Sequence, residues 1–233
     1  MKTITTAACV LICSAAVAAS YADDQTAKLD QSQTDVPQKL HGLPLVFSED
    51  FESSADRWET TDDESWEMSK DAKGNHAFGL NKRKSDYTPK VRSPHNIALI
   101  KDLELTDAVI VYRVKSKKDT GDHRDCCTFF NYQDPEHFYY VHLGAKPDPA
   151  SGQIMIVNNE PRRPLTKNEK RVPWTDDWHT VKIVRKGGKI RVYFDDMKKV
   201  HMKAEDKTFG KGRIGIGSFD DMNDYDDVRV YGK

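Results

Sequence analysis

From Gly121 to Gly144 the chain reads GDHRDCCTFFNYQDPEHFYYVHLG, and the side chains best suited to chemistry sit in this stretch. His142, Tyr140 and Asp125 form the candidate catalytic set: an imidazole to take a proton, a phenol to give one, a carboxylate to do either. His123, Arg124, Asn131 and Tyr132, with Asn158 after the next apolar run, form the candidate substrate-binding set. Flat aromatic rings stack on sugars, while His, Arg, Asn and Asp bind hydroxyls or a carboxylate. So many polar groups in an apolar setting need partners that a dry core does not supply. The residue types serve three roles. One is a non-catalytic sugar-binding or adhesion module. Another is a hydrolase with Asp125 or Asp134 as acid or base. The third is a lyase in which Arg124 or Asn131 neutralises a uronate, His142 abstracts the ring proton and Tyr140 protonates the leaving oxygen. A transition-metal site from His123, Asp125, His137 and His142 has suitable donors, but no tight ligand spacing such as HxH or HExxH.

These side chains need a scaffold, and the local pattern supplies strands. Asp125–Tyr132 and His137–Leu143 are aromatic and β-branched, joined by the turn Gln133-Asp134-Pro135-Glu136. Strict alternation puts Phe138, Tyr140 and His142 on one face, with Tyr139, Val141 and Leu143 on the other. On the preceding strand Asp125, Cys127, Phe129 and Asn131 alternate with Cys126, Thr128, Phe130 and Tyr132. Tyr140, His142, Asp125 and Asn131 therefore define the expected ligand face, with His123 and Arg124 at its rim.

Short apolar or alternating runs continue in both directions: 44–47, 65–68, 77–80, 97–100, 108–115, 153–157, 178–185, 189–194, 213–219 and 228–231. Helical periodicity is almost absent. Lys186-Gly187-Gly188 is a hairpin loop, and Asp195-Asp196 reads as turn chemistry. Together these runs predict an all-β fold, a two-sheet antiparallel jelly-roll sandwich. The segment 159–173 is basic and contains prolines, and reads as a surface loop. Placed over the ligand face, it would favour an anionic glycan.

Composition narrows the function classes. Lys2, the apolar run Ala7–Ala19 and small residues at Ser20 and Ala22 give residues 1–22 the pattern of a secretory signal peptide. That run is shorter than the ~18 residues of a spanning helix, so membrane insertion is not expected. The expected location is secreted or periplasmic. Residues 23–42 read as a polar linker and 43–233 as one β-sandwich domain. A formal net charge of −1, with charged residues at 31% and mixed in sign, gives no electrostatic case for nucleic acid. Only Cys126 and Cys127 lie beyond the leader. Adjacent strand residues point to opposite faces, so two free, half-buried thiols are expected rather than a disulfide, and a metal role would need further cysteines.

The C-terminal third carries a recognisable pattern. Trp178-His179-Thr180-Val181, Tyr193-Phe194-Asp195-Asp196 and Gly212-Arg213-Ile214-Gly215-Ile216 resemble strands of the concanavalin A-like jelly rolls. More narrowly they are similar to the laminin-G-like and 3-keto-disaccharide hydrolase-type domains of exported bacterial proteins. The final Asp226–Tyr231 run is similar to the last strand of laminarinase-type glycoside hydrolases. The resemblance implies an oligo- or polysaccharide ligand on the concave sheet face. It also implies a structural Ca²⁺ between the ends of the domain, for which Glu49, Glu52 and Asp226 are the candidate ligands. The laminarinase-type strand with alternating Glu, Asp and Glu is missing. No pair of carboxylates is evidently poised at the ~5 Å that a retaining glycosidase needs.

Overall fold

Turn residues and alternating apolar positions divide the chain into short antiparallel strands. In chain order these are β1 (Lys39–Leu40), β2 (Leu43–Glu49), β3 (Trp58–Thr60), β4 (Trp66–Lys70), β5 (His76–Leu80) and β6 (Asn96–Leu105). Then come β7 (Ala108–Ser116), β8 (Cys127–Asp134), β9 (His137–His142), β10 (Ile154–Asn158) and β11 (Arg163–Pro164). The last are β12 (His179–Lys186), β13 (Lys189–Phe194), β14 (Met202–Glu205), β15 (Gly212–Ser218) and β16 (Asn223–Gly232). The computed structural model describes Met1 and residues 36–233. The expected leader beyond Met1, and the expected linker up to residue 35, lie outside the described residues.

Nine strands form one sheet along the path β1-β2-β16-β7-β12-β13-β14, with β5 added to β16 and β4 to β5. Seven form the other, in the order β11-β10-β9-β8-β15-β6-β3. The two sheets enclose a core to which β7 gives Ile110, Tyr112 and Val114, β12 gives Val181 and Ile183, and β9 gives Tyr139 and Val141. Trp58 and Trp66 belong to it as well. This is the concanavalin A-like jelly roll that the sequence predicts. Among the described residues no helix is long and apolar enough to cross a membrane.

Two details differ from the sequence pattern. Strand pairing reaches back to Lys39, within the segment read as linker. Lys39 and Leu40 pair with Pro44 and Leu43 through His41 and Gly42, which take positive φ of 50° and 80°. The run is too short and polar to show an alternating pattern, so it reads as linker in sequence.

The second change lies inside the central hairpin. Alternation holds as far as Phe130: Cys126, Phe130, Tyr139 and Val141 face the inter-sheet core, whereas Cys127, Phe129, Phe138 and Tyr140 face away. Asn131 then adopts φ 47°, and the β8–β9 register shifts between Phe130 and Asp134. This β-bulge returns Tyr132 to the side of Phe129, where its ring stacks on Phe138 at 4.9 Å. Asn131 is thereby removed from the expected ligand face. Its Nδ2 donates instead to the carbonyls of Leu105 and Thr106, each at 3.1 Å, and of Gly210.

Asn131→Ala should therefore lower stability by about 2–4 kcal/mol in urea unfolding, from lost buried hydrogen bonds plus an alanine at positive φ. Asn131→Gly removes the same bonds without the φ strain and should cost less. An unchanged midpoint in the alanine variant would remove Asn131 as the pin of the bulge.

Candidate functional site

The seven-stranded sheet is apolar on both faces. Its outer face carries a second cluster that includes Ile97, Leu99, Phe129, Tyr132, Phe138, Tyr140, Met155 and Val157. An uncovered sheet would leave these side chains in water, yet all are at most 6% exposed. Residues 81–95, which connect β5 to β6 without regular structure, run over this face as a strap. Val91 packs on the cluster. The strap is pinned along its length. Asp62 Oδ2 accepts from the Asp86 amide at 2.8 Å and pairs with Lys82 at 3.2 Å. Arg83 Nε donates to the Asp220 carbonyl at 2.7 Å, and Lys90 meets Glu136 at 2.8 Å. The Arg162 amide donates to the Arg92 carbonyl at 2.9 Å, joining the strap to the basic segment.

Tyr140 is consequently sealed, and no part of it is exposed. Its hydroxyl finds no hydrogen-bond partner, and burial pushes its phenol well above the ordinary range. The expectation that Tyr140 stacks on a sugar therefore fails, because the strap occupies the space the sugar would need.

Where the strap ends, a cleft of about 560 Å³ remains, lined by Arg92, His123, Asp125, His142, Lys146, Asp148, Arg162, Phe219 and Asp220 among others. Asp125 and His142 lie in its floor. Asp125 Oδ1 accepts from the Ser218 hydroxyl and the Phe219 amide, both at 2.9 Å, while Oδ2 has a 3.4 Å contact from the Asp220 amide. Burial pushes the Asp125 carboxyl up, but His142 and these donors outweigh it and hold the group below its ordinary value. Its charge in turn adds to burial in raising the Asp220 carboxyl, and in raising Asp221 to about 6. His142 Nδ1 lies 3.1 Å from the Ala150 carbonyl, which can only accept, so Nδ1 carries a proton. Nε2 has no hydrogen-bond partner and points toward Asp125 Oδ1 at 3.7 Å.

At the rim, the Arg162 guanidinium lies over the Phe219 ring, 4.0 Å from its centroid, and its buried Nε and Nη1 have no partner. Arg92 approaches the same ring at 5.9 Å. Neither arginine has a carboxylate partner among the described residues.

Of the expected residues, the fold brings His123, Asp125 and His142 together. Arg124 faces a separate hollow, where Asp119 at 3.2 Å and Asp176 hold it. Asn131 and Tyr132 serve the bulge, and Asn158 is exposed beside His137 at the far end of the sheet. His137 bonds Asp134 at 2.8 Å, away from His142. Sequence reasoning did not single out Arg92, Lys146, Asp148, Phe219 or Asp220. They come from segments far apart in the chain, so no local spacing announces them.

The expected calcium ligands are each engaged separately. Glu49 pairs with Arg57 at 2.8 Å, Glu52 with His76 at 3.0 Å, and Asp226 accepts from Asn75 at 3.2 Å. Among the described residues their ligand atoms are not gathered into one cluster. Among the described residues, the trio whose ligand atoms do gather is Asp125, Cys127 and His142, all buried, with those atoms within 4.8 Å of one another.

No family model matches the chain, and no curated protein matches it in sequence. Solved structures do. The carbohydrate-binding module CBM66 from Bacillus subtilis superposes with a TM-score of 0.56 at 15% identity, over 76% of this chain and 96% of that one. Domain 4 of AbnA, an extracellular arabinanase from Geobacillus stearothermophilus in complex with arabinotriose, gives 0.52 at 12% identity, over 81% and 92%. The Emp47p carbohydrate recognition domain gives 0.53 at 12%, over 83% and 99%. At such identities the likeness is one of fold.

The strap makes a prediction about acid. Asp62, hydrogen-bonded by Ser65, by the Asp86 amide and by Lys82, has its carboxyl held down to about 2. A carboxyl depressed on folding contributes fully above its ordinary value near 3.8 and loses that contribution as pH falls through about 2. Exchange at the Asp86 amide should thus stay protected at about pH 4 and give way only toward about pH 2. Asp62→Asn should lose that protection at every pH. Equal protection in the two proteins would exclude Asp62 as the anchor.

Proposed function

We propose that the protein is an exported carbohydrate-binding β-sandwich that takes an acidic oligo- or polysaccharide, bearing carboxylate or sulfate groups, in the Asp125–His142 cleft. The observation that carries this reading is Arg162: a guanidinium stacked on Phe219 with two buried N–H groups unmet. Such a group costs free energy until an anion reaches it, and a planar fork suits carboxylate or sulfate oxygens. Arg92 and Lys146 add positive charge around the same opening, while His123, Asp148 and Asp220 offer hydrogen-bonding groups for sugar hydroxyls. The fold supports the sugar class, since the superposed jelly rolls include a carbohydrate-binding module, a domain bound to arabinotriose and a carbohydrate recognition domain. The leader-like pattern of residues 1–22 supports export to the periplasm or beyond.

In this reading the sealed aromatic face is structural, and the sugar meets Phe219 and the two arginines at its end. Binding of uronic-acid and sulfated polysaccharides should exceed that of neutral ones in titration calorimetry, and should weaken as salt rises. Arg162→Ala should lose about tenfold to a hundredfold in affinity, the worth of a charged hydrogen-bond donor. Equal affinity for neutral and acidic glycans, unmoved by salt or by Arg162→Ala, would sink the proposal. Reducing ends and the absorbance of unsaturated products, followed in the same mixtures, report whether the bound glycan is also cut.

A further inference from the structure

The hairpin register places a set of ligand atoms that the sugar-binding reading does not use. Asp125, just before β8, and Cys127, its first residue, are two positions apart, and their side chains reach the same side of the hairpin. Cys127 is the cross-strand partner of His142. Cys126, the neighbouring thiol, turns the other way into the inter-sheet core. A carboxylate, a thiol and an imidazole thus converge at the floor of the cleft, and their ligand atoms lie within 4.8 Å of one another.

The contact between His142 and Asp125 is too long for a hydrogen bond and leaves room for an ion between the two groups. A charge-assisted N–H···O bond measures about 2.7–2.9 Å. Here Nε2 stands 3.7 Å from Oδ1. An imidazole nitrogen and a carboxylate oxygen about 2.0–2.2 Å from a tetrahedral ion are separated by roughly 3.3–3.5 Å, a few tenths of an ångström closer than this contact. Oδ1 already accepts two hydrogen bonds, from Ser218 and Phe219, leaving Oδ2 as the freer oxygen. With Nδ1 committed to the Ala150 carbonyl, Nε2 is the ring nitrogen left to ligate, giving up any proton it carries when the metal binds, and no hydrogen-bond partner meets it. A carbonyl on one ring nitrogen and hydroxyl and amide donors on the carboxylate are the outer contacts that orient metal ligands.

We infer that Asp125, Cys127 and His142 form a three-ligand site for a divalent transition metal of the zinc class, with its fourth position open to the cleft. The mixed donor set suits a borderline ion better than calcium or magnesium. Binding replaces the Cys127 thiol proton with the metal and releases it to solvent. The dication then balances thiolate and carboxylate, which leaves the buried site neutral. The site stands on the hairpin geometry and holds whether or not the cleft takes a glycan.

Cobalt(II) titration of the purified full chain under a non-thiol reductant tests this. The expected result is saturation at one equivalent, with a near-ultraviolet thiolate-to-cobalt band and intense visible bands of tetrahedral cobalt, all abolished by stoichiometric zinc. Cys127→Ser should remove the thiolate band and weaken cobalt binding at least tenfold, whereas Cys126→Ser should keep both. His142→Ala should also weaken binding at least tenfold. The wild-type spectrum is decisive even if a variant fails to fold. Folded wild-type chain with no thiolate band overturns the site, as does a band that follows Cys126. Nitrogen-15 spectra showing His142 doubly protonated and unmoved by zinc would mean that a proton alone holds the pair, and would overturn it too.

Discussion

A sheet that is apolar on both sides must be covered on both sides, and this constraint shapes the molecule. The nine-stranded sheet covers the inner face of the seven-stranded one. The outer face, with Phe129, Phe138 and Tyr140 unexposed, is too large an apolar surface to leave in water. An irregular strap covers it, held by ion pairs and backbone hydrogen bonds rather than by a ladder. Such a cover ends where the apolar side chains end. Along β9 that limit comes after Tyr140, where the next outward residue is His142. The cleft therefore lies at the boundary between a face that must be dry and side chains that tolerate water.

Position alone does not make Asp125 usable. It is fixed by a buried polar network that ties the start of β8 to the β15–β16 connection. Ser218 Oγ donates to Asp125 at 2.9 Å and accepts from the Asp221 amide at 2.7 Å. Ser116 Oγ donates to Asp221 at 3.0 Å, and Asn223 Nδ2 donates to the Asp125 carbonyl at 2.7 Å. Since β15 and β16 belong to different sheets, this network also clamps the sandwich at the cleft end. Packing several acidic groups so closely has an electrostatic consequence: the carboxylate with the best donors stays ionised, and its neighbours are pushed up.

The strands were legible in the sequence because burial on one face or two leaves a short-range signature. The faces of Phe129, Phe130, Tyr139 and Tyr140 followed from alternation, as did the opposed directions of Cys126 and Cys127. The bulge was not legible. Asn131 tolerates a left-handed backbone, but nothing local forces it to take one, since the carbonyls it satisfies belong to Leu105, Thr106 and Gly210. The strap was equally hidden, because residues 81–95 carry no period and their role exists only against a sheet built from later strands. His123, Asp125 and His142 could be singled out as a local cluster. Arg92 and Phe219 could not, as each reaches the cleft from a different connection, and Arg162 showed only as one member of a basic segment.

The arginines also show why this end of the sheet, rather than its aromatic centre, is suited to recognition. An aromatic platform attracts a sugar ring only while it is exposed, and here all but one of the rings on this side of the sheet are spent on stability. Phe219 is the half-buried exception, and the Arg162 guanidinium already lies on its face. A guanidinium over an aromatic ring gains about 0.5–2 kcal/mol, less than a buried charged donor loses when its hydrogen bonds go unmade. The stack thus holds the guanidinium in place without satisfying it. An incoming anion meets a guanidinium whose orientation is already set, so less is lost in ordering it, which is the advantage of a preorganised site.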